Sequence, residues 1–349
     1  MKVVLFCYHP YAFGILMPLN DALVEQQHSI VWYVREVIAE HFKLKDEVEW
    51  TSSIAEINRF SPDVIYVPGN EVPHYLRGVK VQIFHGLAGE KKGHFRIRDY
   101  FDLYLTQGPY FTRRFKELAL KHGDFDVEET GWCKLDSLFN KKDVYTDYKE
   151  NLIKTYEVKN ILLYAPTFSP SLTSVPSLLK QWEKFLDKNT NCLLFIKFHD
   201  LMDPRWKQKY KSVLEPYPNV VFVDEPDIIK YLVVSDLMIS DTSSVVYEFL
   251  LLNKPVITFK STSENICWDN FEETEKLSEK ITESLTEDPF GSQRKRVIEE
   301  YHPYNDGKSS FRMIDAVKTY ISMNGVPERR KLNLYRRFKI RKLFGPKPE

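Results

Sequence analysis

The chain is 349 residues long, too long for one ordinary domain and suited to two of roughly 150 to 180 residues each. Hydrophobic residues make up 43% and charged residues 28%, so each half can bury a core. Lys+Arg and Asp+Glu both number 49, and this zero net charge excludes a wholesale basic nucleic-acid binder and an acidic disordered chain.

In chain order, short β-rich runs fall at 3–7, 30–34, 63–67, 80–84 and 103–106, then at 161–165, 192–198, 220–223, 237–240 and 256–259. Several are continuously apolar, which suits strands buried on both faces of a parallel sheet. Helix-length amphipathic stretches, such as 111–122 and 245–252, lie between them as crossovers. Repeated βα units, twice over, predict two facing, doubly wound Rossmann-like α/β domains. The polar stretch 141–159 lacks a strand signal and marks the expected boundary. We therefore expect an N-terminal domain over 1–150, a second over 151–327, and a basic tail over 328–349.

No apolar run approaches the roughly 18 residues of a membrane span, and the start lacks the long apolar region of a signal peptide. A cytoplasmic chain is expected. Cys7, Cys133, Cys192 and Cys267 are scattered without CxxC spacing, and Cys7 and Cys192 sit in apolar runs that read as core. No HExxH, close histidine pair, Walker A, GxGxxG or GxSxG pattern occurs, so neither a metal nor a cofactor is expected.

Ligands of open α/β sheets bind at the carboxyl ends of the strands, so residues just after each strand are the candidates. The strongest group is Ser240-Asp241-Thr242-Ser243-Ser244, which leads into an apolar helix and then Asn253-Lys254-Pro255. Thr242, Ser243 and Ser244 offer hydroxyls to phosphate oxygens at a helix start, and Glu248, one turn on, can accept from a ribose hydroxyl. The competing reading is a helix cap by Asp241, Thr242 or Ser243. His85, followed by Gly86, Gly89, Lys91 and Lys92, opens a loop where an imidazole can take a proton from a hydroxyl; otherwise it is a turn histidine. Lys197 and His199 close another strand on one side and suit a pyrophosphate, or form an exposed pair without a role. Thr167, after Pro166, offers a hydroxyl or merely ends a strand, and His9-Pro10 is a further candidate or a turn. Thr130-Gly131-Trp132-Cys133-Lys134 and Asp306-Gly307-Lys308-Ser309-Ser310 are glycine turns that say little alone.

These segments resemble, in order and spacing, the CDP-glycerol glycerophosphotransferase family of teichoic-acid and capsule enzymes, from about residue 80 to about 320. The most specific part is 240–257, supported by Phe84-His85-Gly86, Glu129-Thr130-Gly131, Leu163-Tyr164-Ala165-Pro166-Thr167, Ile196-Lys197-Phe198-His199 and Asp306-Gly307-Lys308-Ser309. The resemblance implies a GT-B fold with a C-terminal helix crossing back to the first domain. It implies transfer of a polyol phosphate, glycerol phosphate first, from a CDP-polyol to a hydroxyl of a lipid-linked cell-surface polymer, with release of CMP. By position, His85 matches the family's base, His199 its donor-domain histidine, and Ser243 and Ser244 its phosphate-contacting hydroxyls. Two other readings stay open: a GT-B glycosyltransferase or sugar-nucleotide epimerase, and a non-catalytic nucleotide or polyanion binder.

The last 22 residues, 328–349, hold nine Lys/Arg against two Glu, so the tail is +7 and the body −7. Apolar residues are interleaved, with Leu334, Tyr335 and Phe338 on one side of a helical wheel and Leu332, Ile340 and Leu343 on another. Contact with an anionic membrane surface is expected of this tail, as a peripheral attachment at the inner face; a solvated terminus is the alternative. Nucleic acid is not expected as a partner.

Overall fold

A computed structural model of the chain describes residues 1–87, 93–141, 144–225, 228–263 and 266–348. It forms two compact units, one of residues 1–139 with 300–349 and one of residues 140–299. The second unit thus starts at Asn140, just before the polar stretch noted above and eleven residues ahead of the expected start at 151. Residues 300–349, expected partly in the second domain and partly as a separate tail, belong to the first unit.

The first unit is built on β1 (Lys2–Cys7), β2 (Ser29–Val34), β3 (Trp50–Thr51), β4 (Val64–Val67), β5 (Val79–Gln82), β6 (Leu103–Thr106) and β7 (Asp126–Glu129). All pair in parallel, in the order β3-β2-β1-β4-β5-β6-β7. The second is built on β8 (Asn160–Tyr164), β9 (Cys192–Ile196), β10 (Val220–Phe222), β11 (Leu237–Ser240), β12 (Val256–Phe259) and β13 (Asp269–Phe271). These are also parallel, in the order β10-β9-β8-β11-β12-β13. Each sheet reverses its strand order once, between β1 and β4 and between β8 and β11. A crevice opens at the carboxyl ends of the strands at such a point.

The central strands follow from their sequences. Val3 to Cys7 in β1 and Ile161 to Tyr164 in β8 are all 0% exposed, as a strand covered by helices on both faces requires. The buried Cys7 and Cys192 lie in this core as expected. The strands absent from the sequence reading, β3, β7 and β13, are all at or toward sheet edges and are short or polar, Asp-Val-Glu-Glu in the case of β7.

The return of the chain to the first unit is secured by buried polar bonds. Asp136, 3% exposed, accepts from the backbone N–H groups of Ser309 and Ser310 at 2.9 and 2.7 Å and from the Ser310 hydroxyl at 2.6 Å. These donors open the helix Ser309–Asn324, which packs against the helix Ala12–Glu25. His302 Nε2 accepts the Trp132 N–H at 2.9 Å, and Arg312 Nε donates to the Thr130 carbonyl at 2.9 Å. Gly131 has φ +81, and a Cβ there would collide with Ser309 Oγ. The two glycine turns of uncertain meaning are therefore partners in one structural tie.

The basic tail is ordered. Arg330 is 7% exposed and bridges Asp102 at 2.8 Å and Asp124 at 2.9 Å. A helix, Leu334–Phe344, follows, capped by the Asn333 side chain accepting the Arg336 N–H and ended by Gly345 at φ +79.

Candidate active site

In the first unit, the exits of β1, β4 and β5 gather aromatic and imidazole rings. His85 follows β5 and is solvent-facing. Its Nδ1 lies 3.0 Å from the Pro68 carbonyl oxygen, just after β4. A carbonyl only accepts, so Nδ1 carries the proton of the neutral ring and the basic lone pair sits on Nε2. The Tyr11 ring is in contact with His85 at 5.1 Å between centroids and with His9 at 5.3 Å. Burial first, and then Arg35, holds His9 below its ordinary pKa, against an opposing pull from Glu71.

The backbone before His85 is strained. Phe84 has φ +60, a region costly for a bulky residue. Its ring packs on His94 at 5.3 Å and Phe115 at 5.0 Å, which holds the turn in place. Burial, then His85 and Arg98, pushes the His94 pKa down to about 4, so His94 is a neutral ring at pH 7. Among the described residues, a Cβ on Gly86 would meet nothing within 4 Å. The unusual backbone that a His-Gly loop suggests thus falls on Phe84, not on Gly86. Lys91, Lys92 and Gly89 lie outside the described residues.

In the second unit, the strand-order reversal between β8 and β11 is closed by Asp241. This side chain is 0% exposed and accepts from the Thr167 N–H, the Ser174 N–H and the Ser174 hydroxyl, each at 2.8 Å. Burial pushes its pKa up to about 6, and the three donors oppose that rise. Asp241 therefore pins the loop after β8 to the end of β11. Ser244, at the N-cap position of the helix Val245–Leu250, makes no side-chain cap among the described residues. This helix has only six residues, so its dipole is small. Ser243 and Ser244 are half-buried, and their hydroxyls make no hydrogen bond among the described residues. Thr242 Oγ1 accepts the Thr262 N–H at 3.0 Å, which couples it to the loop after β12. Glu248 is buried on the same short helix, 8% exposed.

Lys197 and His199 stand at the exit of β9. The Lys197 side chain is largely buried, with Nζ 3.4 Å from the Phe198 carbonyl and 3.9 Å from the Asp200 carboxylate. His199 is solvent-facing and contacts the Phe168 ring at 4.4 Å. Its Nδ1 accepts the Leu201 N–H at 3.1 Å. In the neutral ring the proton is therefore on Nε2, the reverse of His85. Partial loss of hydration comes first in holding the His199 pKa below its ordinary value; Asp200 opposes the shift, while Lys197 and Lys207 add to it.

Each predicted site residue thus stands at a strand exit or on the short helix beyond one. His85 and Gly86 stand in the first unit; Thr167, Lys197, His199, Thr242, Ser243, Ser244 and Glu248 stand in the second. Sequence reasoning missed Tyr11 and Pro68 beside His85, Phe168 beside His199, and the closing role of Asp241. The first three lie in loops whose path no periodicity reveals. Asp241 was visible as the acidic residue ending β11, but its partners lie 67 and 74 positions away.

Residues 82–266, more than half of the chain, match the family described as CDP-Glycerol:Poly(glycerophosphate) glycerophosphotransferase. The chain belongs to that family. It is 23% identical over 282 residues to a teichoic acid glycerol-phosphate primase of Bacillus subtilis (strain 168), covering 69% of this chain and 68% of the relative. It is 27% identical over 276 residues to the teichoic acid ribitol-phosphate polymerase TarL of Staphylococcus aureus (strain NCTC 8325 / PS 47), covering 67% of this chain and 46% of that one. Among solved structures, the wall teichoic acid polymerase TagF superimposes with a TM-score of 0.65 at 15% identity, over 92% of this chain and 89% of TagF. The fold is therefore GT-B, as the resemblance implied, and the chain is a transferase of the glycerophosphotransferase family. The matched residues, 82–266, include His85, Gly86, Thr167, Lys197, His199, Thr242, Ser243, Ser244 and Glu248, but not the turn at 306–310.

Proposed function

We propose that the protein transfers a polyol phosphate, glycerol phosphate first, from a CDP-polyol to a hydroxyl of a lipid-linked cell-surface polymer, and releases CMP. The observation that carries this reading is the opposed protonation of the two histidines. His85 presents a basic Nε2, fit to take a proton; His199 presents an Nε2–H, fit to donate to a phosphate oxygen.

The step follows from those roles. The acceptor O–H gives its proton to His85 Nε2 as its oxygen attacks the phosphorus that bears the polyol. The bond from that phosphorus to the bridging oxygen breaks, and CMP leaves with the electron pair. Lys197, His199, Thr242, Ser243 and Ser244 stabilise the pyrophosphate and the departing CMP. Thr167 and Glu248 bind the nucleotide side, Glu248 at a ribose hydroxyl. Gly86 leaves open space beside the base. The lipid-linked acceptor places the enzyme at the inner face of the membrane, as a peripheral protein. Among the described residues, no helix is long and apolar enough to cross a bilayer.

The test is a panel of CDP-polyols and UDP-sugars incubated with the pure protein and membranes. CMP release with CDP-glycerol or CDP-ribitol supports the reading. UDP release points to a glycosyltransferase, and nucleotide binding without turnover points to a non-catalytic binder.

A further inference from the structure

The C-terminal helix Leu334–Phe344 has two apolar sides that serve different purposes. One faces the first unit. Ile340 is 0% exposed, Phe344 packs on Phe6 at 5.7 Å and Tyr8 at 5.2 Å, and Tyr75 donates its hydroxyl to the Phe344 and Gly345 carbonyls. On the same side Lys339 bridges Glu71 at 2.8 Å and Arg336 approaches Asp99 at 3.7 Å. The opposite side carries Leu334, Tyr335 and Phe338, which are 82%, 72% and 68% exposed. Spaced i, i+1 and i+4, they share one helix face. Other large exposed apolar residues, such as Leu120, Leu201 and Met323, stand apart in separate parts of the chain. Three together on one helix form a patch that calls for a partner.

The basic residues divide in the same way. Arg330, Arg336 and Lys339 neutralise acidic groups of the first unit. Lys331, Arg337, Arg341 and Lys342 are exposed and make no ion pair among the described residues. At helical spacing, Arg341 and Lys342 project toward the apolar triad and Arg337 flanks it, while Lys331 precedes the helix. Aliphatic and aromatic side chains ringed by unpaired cations match the interface of an anionic bilayer, where apolar groups insert shallowly and cations meet phosphate headgroups.

We propose that this outward face is the surface by which the protein docks on an anionic membrane, with the helix lying in the plane of the headgroups. The helix contacts the exits of β1 and β4 through Tyr8 and Glu71, the same exits that support His85. Docking through it brings that histidine to the level where a lipid-linked hydroxyl is presented. The purpose rests on the function proposed above, but docking itself is measured without turnover and fails or holds separately.

The experiment is flotation of the full chain with vesicles of phosphatidylglycerol or of phosphatidylcholine, at low and high salt. Wild type is expected to float with phosphatidylglycerol, weakly with phosphatidylcholine, and less as salt rises. The variant L334S/Y335S/F338S should lose roughly tenfold or more in vesicle affinity while its thermal unfolding is unchanged. The variant K331Q/R337Q/R341Q/K342Q should lose the preference for phosphatidylglycerol. His85→Ala should float like wild type. Equal flotation of the L334S/Y335S/F338S variant and wild type overturns the proposal. So does a dimer in light scattering that this variant dissociates, in a protein that never floats, because the patch is then an interface between copies.

Discussion

The Nδ1 of His85 lies 3.0 Å from the carbonyl oxygen of Pro68, and this one bond fixes which ring nitrogen can act as a base. Replacing His85 by Asn keeps a donor for the Pro68 carbonyl but removes the base. We expect transfer to fall by about 10²- to 10⁴-fold while affinity for CDP, measured by calorimetry, stays unchanged. Parallel loss of CDP affinity would place His85 in nucleotide binding instead.

The same logic separates His199. With the proposed donor role on its Nε2–H, His199→Gln, which retains an N–H donor, should keep more transfer activity than His199→Ala. Loss of a donor to developing phosphate charge costs about 10²-fold in rate. Equal activity of the two variants would remove the donor role.

Asp241 has a structural task. Asp241→Ala leaves the Thr167 N–H, the Ser174 N–H and the Ser174 hydroxyl without their acceptor. We expect a loss of about 3 kcal/mol in denaturant unfolding. Its folded pKa is raised, so this group weakens stability as pH rises from its ordinary value toward about 6 and has no further effect above that.

Above pH 6 a different group governs. His302 is 1% exposed, and burial first, then Arg312, pushes its pKa down to about 3. Its folded pKa lies below the unfolded value of about 6.5, so the stability it contributes is full above that value and is lost as pH falls. Lowering the pH from 7.5 to 6 should cost about 0.8 kcal/mol from His302 alone. His302→Gln, which can still accept the Trp132 N–H, should flatten that slope in thermal unfolding at each pH. An unchanged slope would locate the sensitivity elsewhere.

Arg330 tests the status of the tail. With Asp102 only 6% exposed, Arg330→Ala should destabilise the protein by about 3 kcal/mol, because it strands a buried carboxylate. A dispensable tail would show no change in chemical unfolding.

Much of this architecture was legible because it rests on local pattern. Runs such as Val3 to Cys7 cannot be exposed without cost, and their recurrence dictated two parallel sheets. The strand-exit rule then led directly to His85, His199 and Thr242. The tail was harder. Its two apolar sides cancel on a helical wheel, and only the structure shows that Ile340 points inward and Phe338 outward. The return of residues 300–349 to the first unit was also hidden, because Asp136 and Ser310 meet across 174 positions. The polar edge strands β7 and β13 gave no apolar run to read.

In the proposed reaction, phosphate and polyol travel together to a hydroxyl activated by His85. The most direct measurement uses CDP-glycerol labelled both in the glycerol-side phosphate and in the glycerol carbons, incubated with the protein and membranes. Both labels are expected to enter the lipid fraction in equal amounts, with one CMP released per transfer and no incorporation by His85→Ala. Carbon label arriving without phosphate, or full incorporation by His85→Ala, would contradict it.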